Sequence, residues 1–459
     1  MLFPTVEFVV FFLAVFVLSW ALMGRPAVWK PFMLAASYVF YAAADPRFCL
    51  LLAGITLWNQ LMARQIARGR PRLVVLAVAV DLLVLGVFKY YGFFVSGVGD
   101  ALDDVGLGMP LPLLTIALPV GISFITFQAI SYVVDVKRGV LEPARTIDVA
   151  LYLSFFPHLV AGPIVRAREF LPQLASPRDP ERIALGAGVV LIAIGLVKKV
   201  ALADYLAREV VDPVFAVPEA YGAADTLLAM YAYAAQIYCD FSGYTDMAIG
   251  LALLLGFVFP PNFDRPYRAL SFGDFWRRWH MTLSRFLRDY LYIPLGGNRG
   301  GRWRTARNLM ITMLLGGLWH GAAWGFVVWG ALHGLFLVVE HQLRGRGWSA
   351  PAWLRWAIVF HLVVLAWVAF RAPTLGDAVD VVGRLGATGE TQLWTLPAVL
   401  IVLVVIGGQL LPPRPVDALR LRIEQLQPVA LGAALAVVIF LVQATVPTDG
   451  VPPFIYFAF

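Results

Sequence analysis

Charged side chains are scarce in this sequence. Only 14% of its 459 residues are Asp, Glu, Lys or Arg, whereas 60% are hydrophobic and the mean hydropathy is +0.77. Soluble domains carry about 25% charged residues, so the composition excludes that class and indicates a polytopic membrane protein. Gly/Ser-rich linkers, low-complexity tracts and clear internal repeats are also absent. We therefore expect a single membrane-embedded domain over residues 1–459.

The sequence also lacks the common motifs of metal, redox and nucleotide chemistry. Its two cysteines, Cys49 and Cys239, form no CxxC, zinc or haem pattern, and its six histidines show no metal-ligand spacing. There is no GxSxG nucleophile elbow, no HExxH and no Walker pair. The net charge of +7 comes from basic residues that cluster in short loops. We expect no metal, no bound cofactor and no nucleic-acid partner.

Long apolar segments account for most of the chain. The first, residues 2–22, has no basic n-region and no small-residue cleavage site, so it is predicted to be a membrane span rather than a removable signal. At about 20 apolar residues per span, the chain is predicted to cross the membrane about ten to twelve times, with some short or re-entrant segments. The segments are 2–23, 30–44, 47–63, 73–95, 113–135, 146–161, 183–205, 225–256, 306–342 (two helices), 354–371, 394–411 and 428–446.

Loop charges predict the orientation of these spans. Basic residues follow the first span (Arg25, Lys30), the third span (residues 64–72) and the fifth span (Lys137, Arg138), whereas residues 96–112 contain three aspartates and no basic residue. Basic loops stay in the cytoplasm. We therefore expect a multi-pass membrane protein with its N-terminus outside and these basic loops in the cytoplasm.

Several ionisable residues interrupt the apolar segments. A charge at the bilayer centre costs about 2.5–3.5 kcal/mol on insertion scales, so each should face a polar interior or a partner. Lys198 and Lys199 are expected to snorkel or to pair with Asp204. For His333 and His341 we expect hydrogen bonds between helices. The interrupting residues are Asp81, Lys198, Lys199, Asp240, Asp246, His320 and His333.

A basic segment, residues 265–307, contains ten arginines against two aspartates. At 100° per residue, Trp276, Trp279 and His280 share an apolar face while Arg277 lies on the opposite face. The pattern predicts one basic amphipathic helix at the cytoplasmic interface, which could serve as a lipid anchor. The stretch PLGGNRGG, residues 294–301, matches neither phosphate-loop pattern and is predicted to be a turn, although it could also contact an anionic donor.

Two histidines stand out as candidates for catalysis. His320 lies in MLLGGLWHGAAWGFVVWG, residues 313–330, and His280 lies on the apolar face of the predicted interfacial helix. Imidazole can act as a base near neutral pH. Because both rings are predicted to point into the protein, a shared site is one hypothesis. Hydrogen-bonded core histidines are the alternative.

Five pieces of the sequence together resemble the membrane-bound O-acyltransferases, in particular their bacterial branch of alginate O-acetylation and teichoic acid D-alanylation proteins. They occur in the family's order and the resemblance extends over essentially the whole chain. The pieces are SFFPHLVAGPIVR (154–166), QIYCDFSGYTDMAIGLALLLGF (236–257), NFDRPYRALSFGDFWRRWHMTLSRFLRDYLYIPLGGNRGG (262–301), NLMITMLLGGLWHGAAWGFVVWGALHG (308–334) and PFIYFAF (453–459).

The resemblance implies an all-α membrane protein whose helices form a ring around a funnel or tunnel, with the active-site core in residues 265–334. It implies that His320 is the catalytic histidine and that His280 is a second active-site residue. Asp240 could join a polar network with Ser242 and Tyr244, or it could cap a helix break at Ser242 and Gly243. The candidate tunnel-lining or supporting residues are Trp319, Trp276, Arg277, Asp240, Tyr244 and Asn308.

The resemblance also implies the reaction. We expect an acyl group, most simply acetyl from acetyl-CoA or another carrier thioester, to pass from the cytoplasm to a hydroxyl of an extracytoplasmic polysaccharide or relay protein. A separate serine-esterase-like transferase is an expected partner beside membrane lipid. Two alternatives stay open: D-alanyl transfer from a carrier protein to teichoic acid, and a proton-coupled transporter, for which the sequence shows no inverted repeat.

Overall fold

The computed structural model describes residues 1, 3–104, 117–160, 162–344, 350–443 and 452. Helices and turns make up these ranges, and no β-strand occurs in them. The terminal PFIYFAF piece, residue 161 of the SFFPHLVAGPIVR piece and residues 105–112 of the acidic segment lie outside the described residues. The prediction of an all-α protein is confirmed.

The chain divides into two compact units, Val6–Arg182 and the chain from Ile183 onward, to which Leu2–Thr5 also belongs. The expectation of a single membrane-embedded domain stays a prediction, as does the ring of helices around a funnel.

In the first unit, α2 packs on α6, and α3 packs on both α4 and α5. Polar side chains also connect the helices of these pairs. Lys30 of α2 pairs with Asp148 of α6 at 2.5 Å, and Asn59 of α3 donates to Asp81 of α4 at 2.9 Å. Asp81 therefore has the polar partner that its place in an apolar segment requires. The helices are α1 (Val6–Leu22), α2 (Pro26–Ala42), α3 (Arg47–Ala67), α4 (Leu73–Asp104), α5 (Ile122–Lys137), α6 (Thr146–Ser154), α7 (Phe156–Leu159) and α8 (Ala167–Phe170).

The second unit is built around α12, which packs on α9, α17 and α19. The largest paired element beside it is the hairpin of α15 and α16. The helices are α9 (Leu185–Leu196), α10 (Asp204–Leu206), α11 (Asp212–Ala216), α12 (Ala223–Leu254), α13 (Phe272–Arg278), α14 (Met281–Leu287), α15 (Arg302–His320), α16 (Trp324–Arg344), α17 (Ala352–Arg371), α18 (Leu375–Gly383), α19 (Leu396–Leu410), α20 (Pro413–Glu424) and α21 (Pro428–Gln443). The predicted division of residues 306–342 into two helices is confirmed.

Helices α9 to α11 form one continuous segment, Leu185–Ala216, because π-helical turns at Val197–Ala203 and Ala207–Val211 connect them. The first π turn carries both lysines, of which Lys199 is buried and Lys198 is half-buried. Lys198 pairs with Asp246 at 2.7 Å, and Lys199 contacts both Asp204 and Asp240 at 2.7 Å. The predicted pairing with Asp204 is confirmed for Lys199. Lys198 has a different partner, which lies on α12.

Glycines bring α9 and α12 into backbone contact. A Cβ added to Gly195 would lie 2.6 Å from the carbonyl oxygen of Gly243, and one added to Gly243 would lie 2.8 Å from that of Gly195. Small residues of this kind are typical of close helix pairs in membranes. The possible break at Ser242 and Gly243 is wrong, since α12 runs without interruption through both residues. Gly243 serves helix packing instead.

Four described helices are long and apolar enough to cross a membrane: Leu73–Val95, Leu185–Ala216, Trp324–Arg344 and Ala352–Arg371. A fifth span is counted if Asp417–Glu424 and Pro428–Val442, which bend by 115°, act together. Val6–Leu22 and Leu396–Leu410 are apolar but shorter. The chain is therefore a multi-pass membrane protein, while the total of ten to twelve spans stays a prediction.

Candidate active site

His320 is the last residue of α15, at the point where the chain turns into α16. The two helices of this hairpin touch through glycines. A Cβ added to Gly317 would lie 2.2 Å from the carbonyl oxygen of Phe326, and one added to Gly330 would lie 2.5 Å from that of Met313. Because backbone meets backbone here, the place of His320 relative to α16 is fixed by the hairpin itself.

The basic segment does not form the single amphipathic helix that its periodicity predicts. It forms α13 and α14, separated at Trp279 and His280, and then a π-helical turn over Arg288–Tyr292. His280 has a φ of 43°, in the left-handed region, and it caps the N-terminus of α14. A left-handed residue cannot continue a right-handed helix, so the apolar face predicted across this point does not exist as one face.

Asn262 causes the break at His280. Its side-chain Oδ1 accepts hydrogen bonds from the Thr282 backbone N–H at 3.1 Å and from the Thr282 hydroxyl at 2.9 Å. Its backbone carbonyl accepts from the Met281 N–H at 2.9 Å. The same Oδ1 lies 3.1 Å from His280 Nδ1. Since the backbone N–H of Thr282 can only donate, this atom of Asn262 is an oxygen, and Nδ1 of His280 must carry the hydrogen. In the neutral ring, Nε2 is then the basic nitrogen.

The two candidate histidines lie together, as the shared-site hypothesis predicts. Their ring centroids are 6.5 Å apart, and their exposed fractions are 0% for His280 and 3% for His320. Trp319 contacts both rings, with centroid distances of 6.1 Å to His280 and 5.1 Å to His320. Their roles in catalysis stay predictions.

Aromatic rings line the other sides of His320. Trp329 of α16 lies 5.0 Å from it, nearly perpendicular, and Phe370 of α17 lies 5.4 Å away. Trp329 also contacts His333, at a centroid distance of 4.7 Å. We call Trp276, Trp319, Trp329, Phe370 and His333 the aromatic wall. Trp329 and Phe370 are not among the site residues predicted from the sequence, although Trp329 lies inside the His320 motif of residues 313–330.

His333 does not make the hydrogen bonds between helices that its sequence position predicts. Its ring is fully buried, and neither nitrogen has a hydrogen-bond partner within the described part of the chain. Its ring contacts are aromatic, including Trp276 at 5.1 Å and Phe275 at 5.9 Å. The prediction failed because the residues that surround His333 offer faces and edges of rings rather than polar atoms. His341, on the same helix, is exposed.

Asp240 and Tyr244 lie on α12, beside the histidine pair rather than in it. Asp240 belongs to the ion-pair network of Lys199, and the Tyr244 ring centroid lies 5.9 Å from Lys199 Nζ. The next residue along from Asp240 is Phe241, whose ring contacts His280 at 4.6 Å. Asp240 is thus linked to the site through its neighbour on the same helix.

Arg277 and Asn308 are placed away from the histidine pair. The Arg277 side chain is 68% exposed and lies 3.5 Å from Asp274. Asn308 donates to the carbonyl oxygen of Gly297 at 2.9 Å and so holds the PLGGNRGG stretch against α15. This stretch is a turn, as predicted, with Gly296 at a φ of 109°. Both residues therefore belong to the surface and loop structure around the site.

A cavity of about 170 Å³ lies against the aromatic wall. Its outer part includes the exposed Arg288, and its inner part is formed by buried side chains of α13, α14 and α15. We call it the Trp276 cavity. The residues that line it include Trp276, Leu287, Arg288, Tyr292, Thr312 and Met313.

This arrangement suits proton transfer better than metal chemistry. Among the residues whose structure is described, no three His, Cys, Asp or Glu side chains are grouped so that they could hold a metal ion. Two imidazoles in a largely apolar enclosure can take a proton from a hydroxyl and return it to a leaving group. The site therefore has the side chains that histidine-based acid–base chemistry needs.

Known proteins resemble the chain in the same region. The model of the membrane-bound O-acyltransferase family matches residues 138–370. The protein named "Probable alginate O-acetylase AlgI" from Pseudomonas aeruginosa is 43% identical over 403 residues, which cover 86% of this chain and 76% of that protein. The peptidoglycan O-acetyltransferase of Helicobacter pylori is 37% identical over 417 residues, which cover 82% of this chain and 77% of that protein. The teichoic acid D-alanyltransferase of Bacillus subtilis is 28% identical over 267 residues, which cover 53% of this chain and 65% of that protein.

The chain belongs to the membrane-bound O-acyltransferase family. It is accordingly a multi-pass membrane enzyme that transfers acyl groups to oxygen, and the predictions of the family and of this enzyme class are confirmed.

Proposed function

We propose that this enzyme is an O-acetyltransferase that moves acetyl from a cytoplasmic thioester, acetyl-CoA, to a hydroxyl of an extracytoplasmic polysaccharide or of a relay protein. The observation that carries the proposal is the buried pair of His280 and His320 beside the Trp276 cavity, in a chain of this family. The names of the relatives support acetyl as the acyl group and a cell-surface polysaccharide as the acceptor.

His320 is the proposed general base. As the hydroxyl oxygen of the acceptor attacks the thioester carbonyl carbon, His320 accepts the hydroxyl proton. The C–S bond then breaks, and the proton passes to the thiolate sulfur, so that the ester and the free thiol leave. His280, with the hydrogen on Nδ1 held by Asn262, has Nε2 as its basic nitrogen and is proposed to orient the acceptor or to move the proton.

The Trp276 cavity is the proposed donor side of the site. Its exposed part carries Arg288, and further arginines of the basic segment lie in the turn and at the start of α15. Guanidinium groups bind phosphates, and the phosphates of CoA need such partners outside the membrane. The thioester end is small and apolar, which fits the apolar lining of the cavity.

We further propose that the enzyme lies in the inner membrane of a bacterium with its N-terminus outside, and that a separate serine-esterase-like transferase receives the acetyl group. The basic loops support this orientation. Such a partner would solve a physical problem, because a polysaccharide cannot cross the bilayer to meet the donor.

Reconstitution with different donors tests the proposal. Purified enzyme in proteoliposomes is expected to transfer labelled acetyl from acetyl-CoA to an acceptor polysaccharide or partner, and the His320→Ala variant is expected to lose this activity while staying folded. Transfer only from a D-alanyl carrier protein would contradict the acetyl proposal and favour D-alanylation. Activity of His320→Ala within a few-fold of wild type would remove His320 from its role, and solute uptake without covalent transfer would favour a transporter.

A further inference from the structure

Trp276 is the member of the aromatic wall that lines the Trp276 cavity. One side of its ring lines the cavity together with Thr312 and Met313. Its other contacts are with rings of the wall, at centroid distances of 5.1 Å to His333 and 5.7 Å to Trp329. Trp329 in turn lies 5.0 Å from His320. A path from the cavity to His320 by way of these rings therefore meets Trp276 first and Trp329 second, and both side chains are buried.

No hydrogen bond holds the Trp276 ring in place. Its indole Nε1 is buried and has no hydrogen-bond partner among the residues that the structure describes. Two other indoles are anchored: Trp29 donates to Ser19 Oγ at 2.9 Å, and Trp356 donates to the Tyr267 carbonyl oxygen at 2.9 Å. A buried indole N–H is normally satisfied, and among the described residues Trp58 and Trp329 share the lack of a bond with Trp276. Of these three indoles, only that of Trp276 lines the cavity.

Space for movement lies on one side only. The cavity of about 170 Å³ is several times larger than the about 30 Å³ that one water molecule occupies in the liquid. On the opposite side the ring meets Trp329 and His333 of α16, a helix that glycine contacts hold against α15. If the ring moves, it moves into the cavity.

We propose that Trp276 is the gate between the donor cavity and His320 and that it limits the length of the acyl group that reaches the histidine. This inference rests on the proposed function, because it takes the cavity as the donor side. An acetyl group needs only a small displacement of the indole. A longer acyl chain would have to occupy the volume that the ring itself fills, so the ring selects against it.

Replacing the indole tests the gate. Purified Trp276→Ala, Trp276→Phe and wild-type enzyme are supplied with acetyl-, propionyl- and butyryl-CoA at equal concentrations, and transfer to the acceptor is measured by mass spectrometry. One additional methylene in an apolar pocket discriminates by about 10-fold or more. We therefore expect the ratio of butyryl to acetyl transfer to rise on the order of tenfold in Trp276→Ala and to rise less in Trp276→Phe. Hydrolysis of acetyl-CoA without an acceptor should rise in parallel, because water gains the same path.

The matched control is Trp303→Ala, since this indole is 74% exposed and contacts Arg302. It should keep the wild-type ratio. An unchanged ratio in Trp276→Ala, while wild type transfers acetyl, overturns the gate but leaves the proposed function standing. Wild type that uses no acyl-CoA overturns the proposed function instead. If Trp276→Ala does not fold, Trp276→Leu replaces it. Folded Trp276 variants that lose transfer from all three donors would show that the indole is needed for catalysis itself and would also overturn the gate.

Discussion

Asn262 connects two features of the site that lie apart in the sequence. Its side chain and backbone bond to His280, Met281 and Thr282, and these bonds hold His280 in a left-handed conformation that a non-glycine residue adopts at a cost of about 1–2 kcal/mol. The bonds also fix the tautomer and the direction of the His280 ring. The orientation of a proposed catalytic group thus depends on an amide that precedes it by 18 residues.

Removal of the Asn262 amide should therefore impair catalysis more than folding. We expect Asn262→Ala to lower kcat of acetyl transfer by about 100-fold, because a misplacement of about 1 Å has effects of that size. Asn262→Asp keeps an acceptor oxygen for Thr282 and should retain more activity. The kcat of both variants in proteoliposomes and their melting temperatures are the measurements. Equal losses of activity in the two variants would contradict the role of the acceptor oxygen.

The left-handed backbone at His280 decides which substitution tests its chemistry. Asparagine adopts this conformation more readily than alanine, so His280→Asn should melt closer to wild type than His280→Ala. If His280 takes part in proton transfer, both variants should lose activity to a similar degree, by about 10²–10⁴-fold. His280→Asn with near wild-type kcat would show that the residue is structural. Thermal melting in detergent, measured beside kcat, separates the two effects.

At this scale the sequence predicted the candidate histidines but not their surroundings. His320 and His280 could be selected because imidazoles are unusual in apolar segments. The break between Trp279 and His280 could not, since local periodicity favours a continuous helix and the opposing hydrogen bonds come from Asn262. The prediction for His333 was wrong for a similar reason. Part of its aromatic surroundings comes from α13 and α17, which no local pattern around His333 shows.

At the scale of elements, the α15–α16 hairpin places His320 by direct backbone contact. Gly317→Ala should destabilise the protein by about 1–3 kcal/mol, the usual cost of overpacking, because its Cβ would meet the Phe326 carbonyl oxygen at 2.2 Å. Gly54→Ala in α3 is the matched control, since a Cβ there has no neighbour within 4 Å. It should stabilise by about 0.5–1 kcal/mol. The melting temperatures of the two variants, measured in the same detergent, test this prediction. Similar shifts of the melting temperature in both variants would refute it.

The ion-pair network between the π turn and α12 should behave as a unit. Lys199, Asp204 and Asp240 have exposed side-chain fractions of only 2–5%. Lys199→Met leaves two buried carboxylates without their cation and should cost about 3–5 kcal/mol of stability.

Lys199→Met combined with Asp204→Asn and Asp240→Asn should regain most of the loss caused by Lys199→Met alone, because no unpaired charge then remains. The free energies of unfolding of both variants, measured by denaturation, test this prediction. A triple variant no more stable than Lys199→Met alone would contradict it. The sequence predicted the nearby partner, Asp204, but not Asp240, which only the packing of α9–α11 on α12 brings within reach.

At the scale of the whole molecule, the distribution of basic loops predicts the orientation in the membrane. In a background of Cys49→Ser and Cys239→Ser, Arg70→Cys lies between α3 and α4 and should react only with reagents that reach the cytoplasm. Ala44→Cys lies between α2 and α3, is exposed, and should react with an impermeant maleimide added outside intact cells. The reverse labelling pattern would reverse the proposed orientation.

The class of the molecule was readable from the sequence, because composition, apolar segments and the order of motifs all act over long stretches. The length of each helix was harder to predict from the sequence. Residues 183–205 are apolar enough to predict a span, yet the helical segment continues to Ala216 through two π turns. Such turns depend on contacts with α12 and leave no periodic signal.

The π turn at Val197–Ala203 also sets the rotational phase of everything that follows it in this segment. Each residue of an α-helix turns the chain by about 100° and advances it by about 1.5 Å, whereas a π turn accommodates one additional residue per turn. Neighbouring lysines can thus face two different aspartates of α12. Deletion of a single residue here would shorten the segment very little, but it would rotate the remaining side chains by roughly a quarter of a turn and exchange those that face α12 for those that face away.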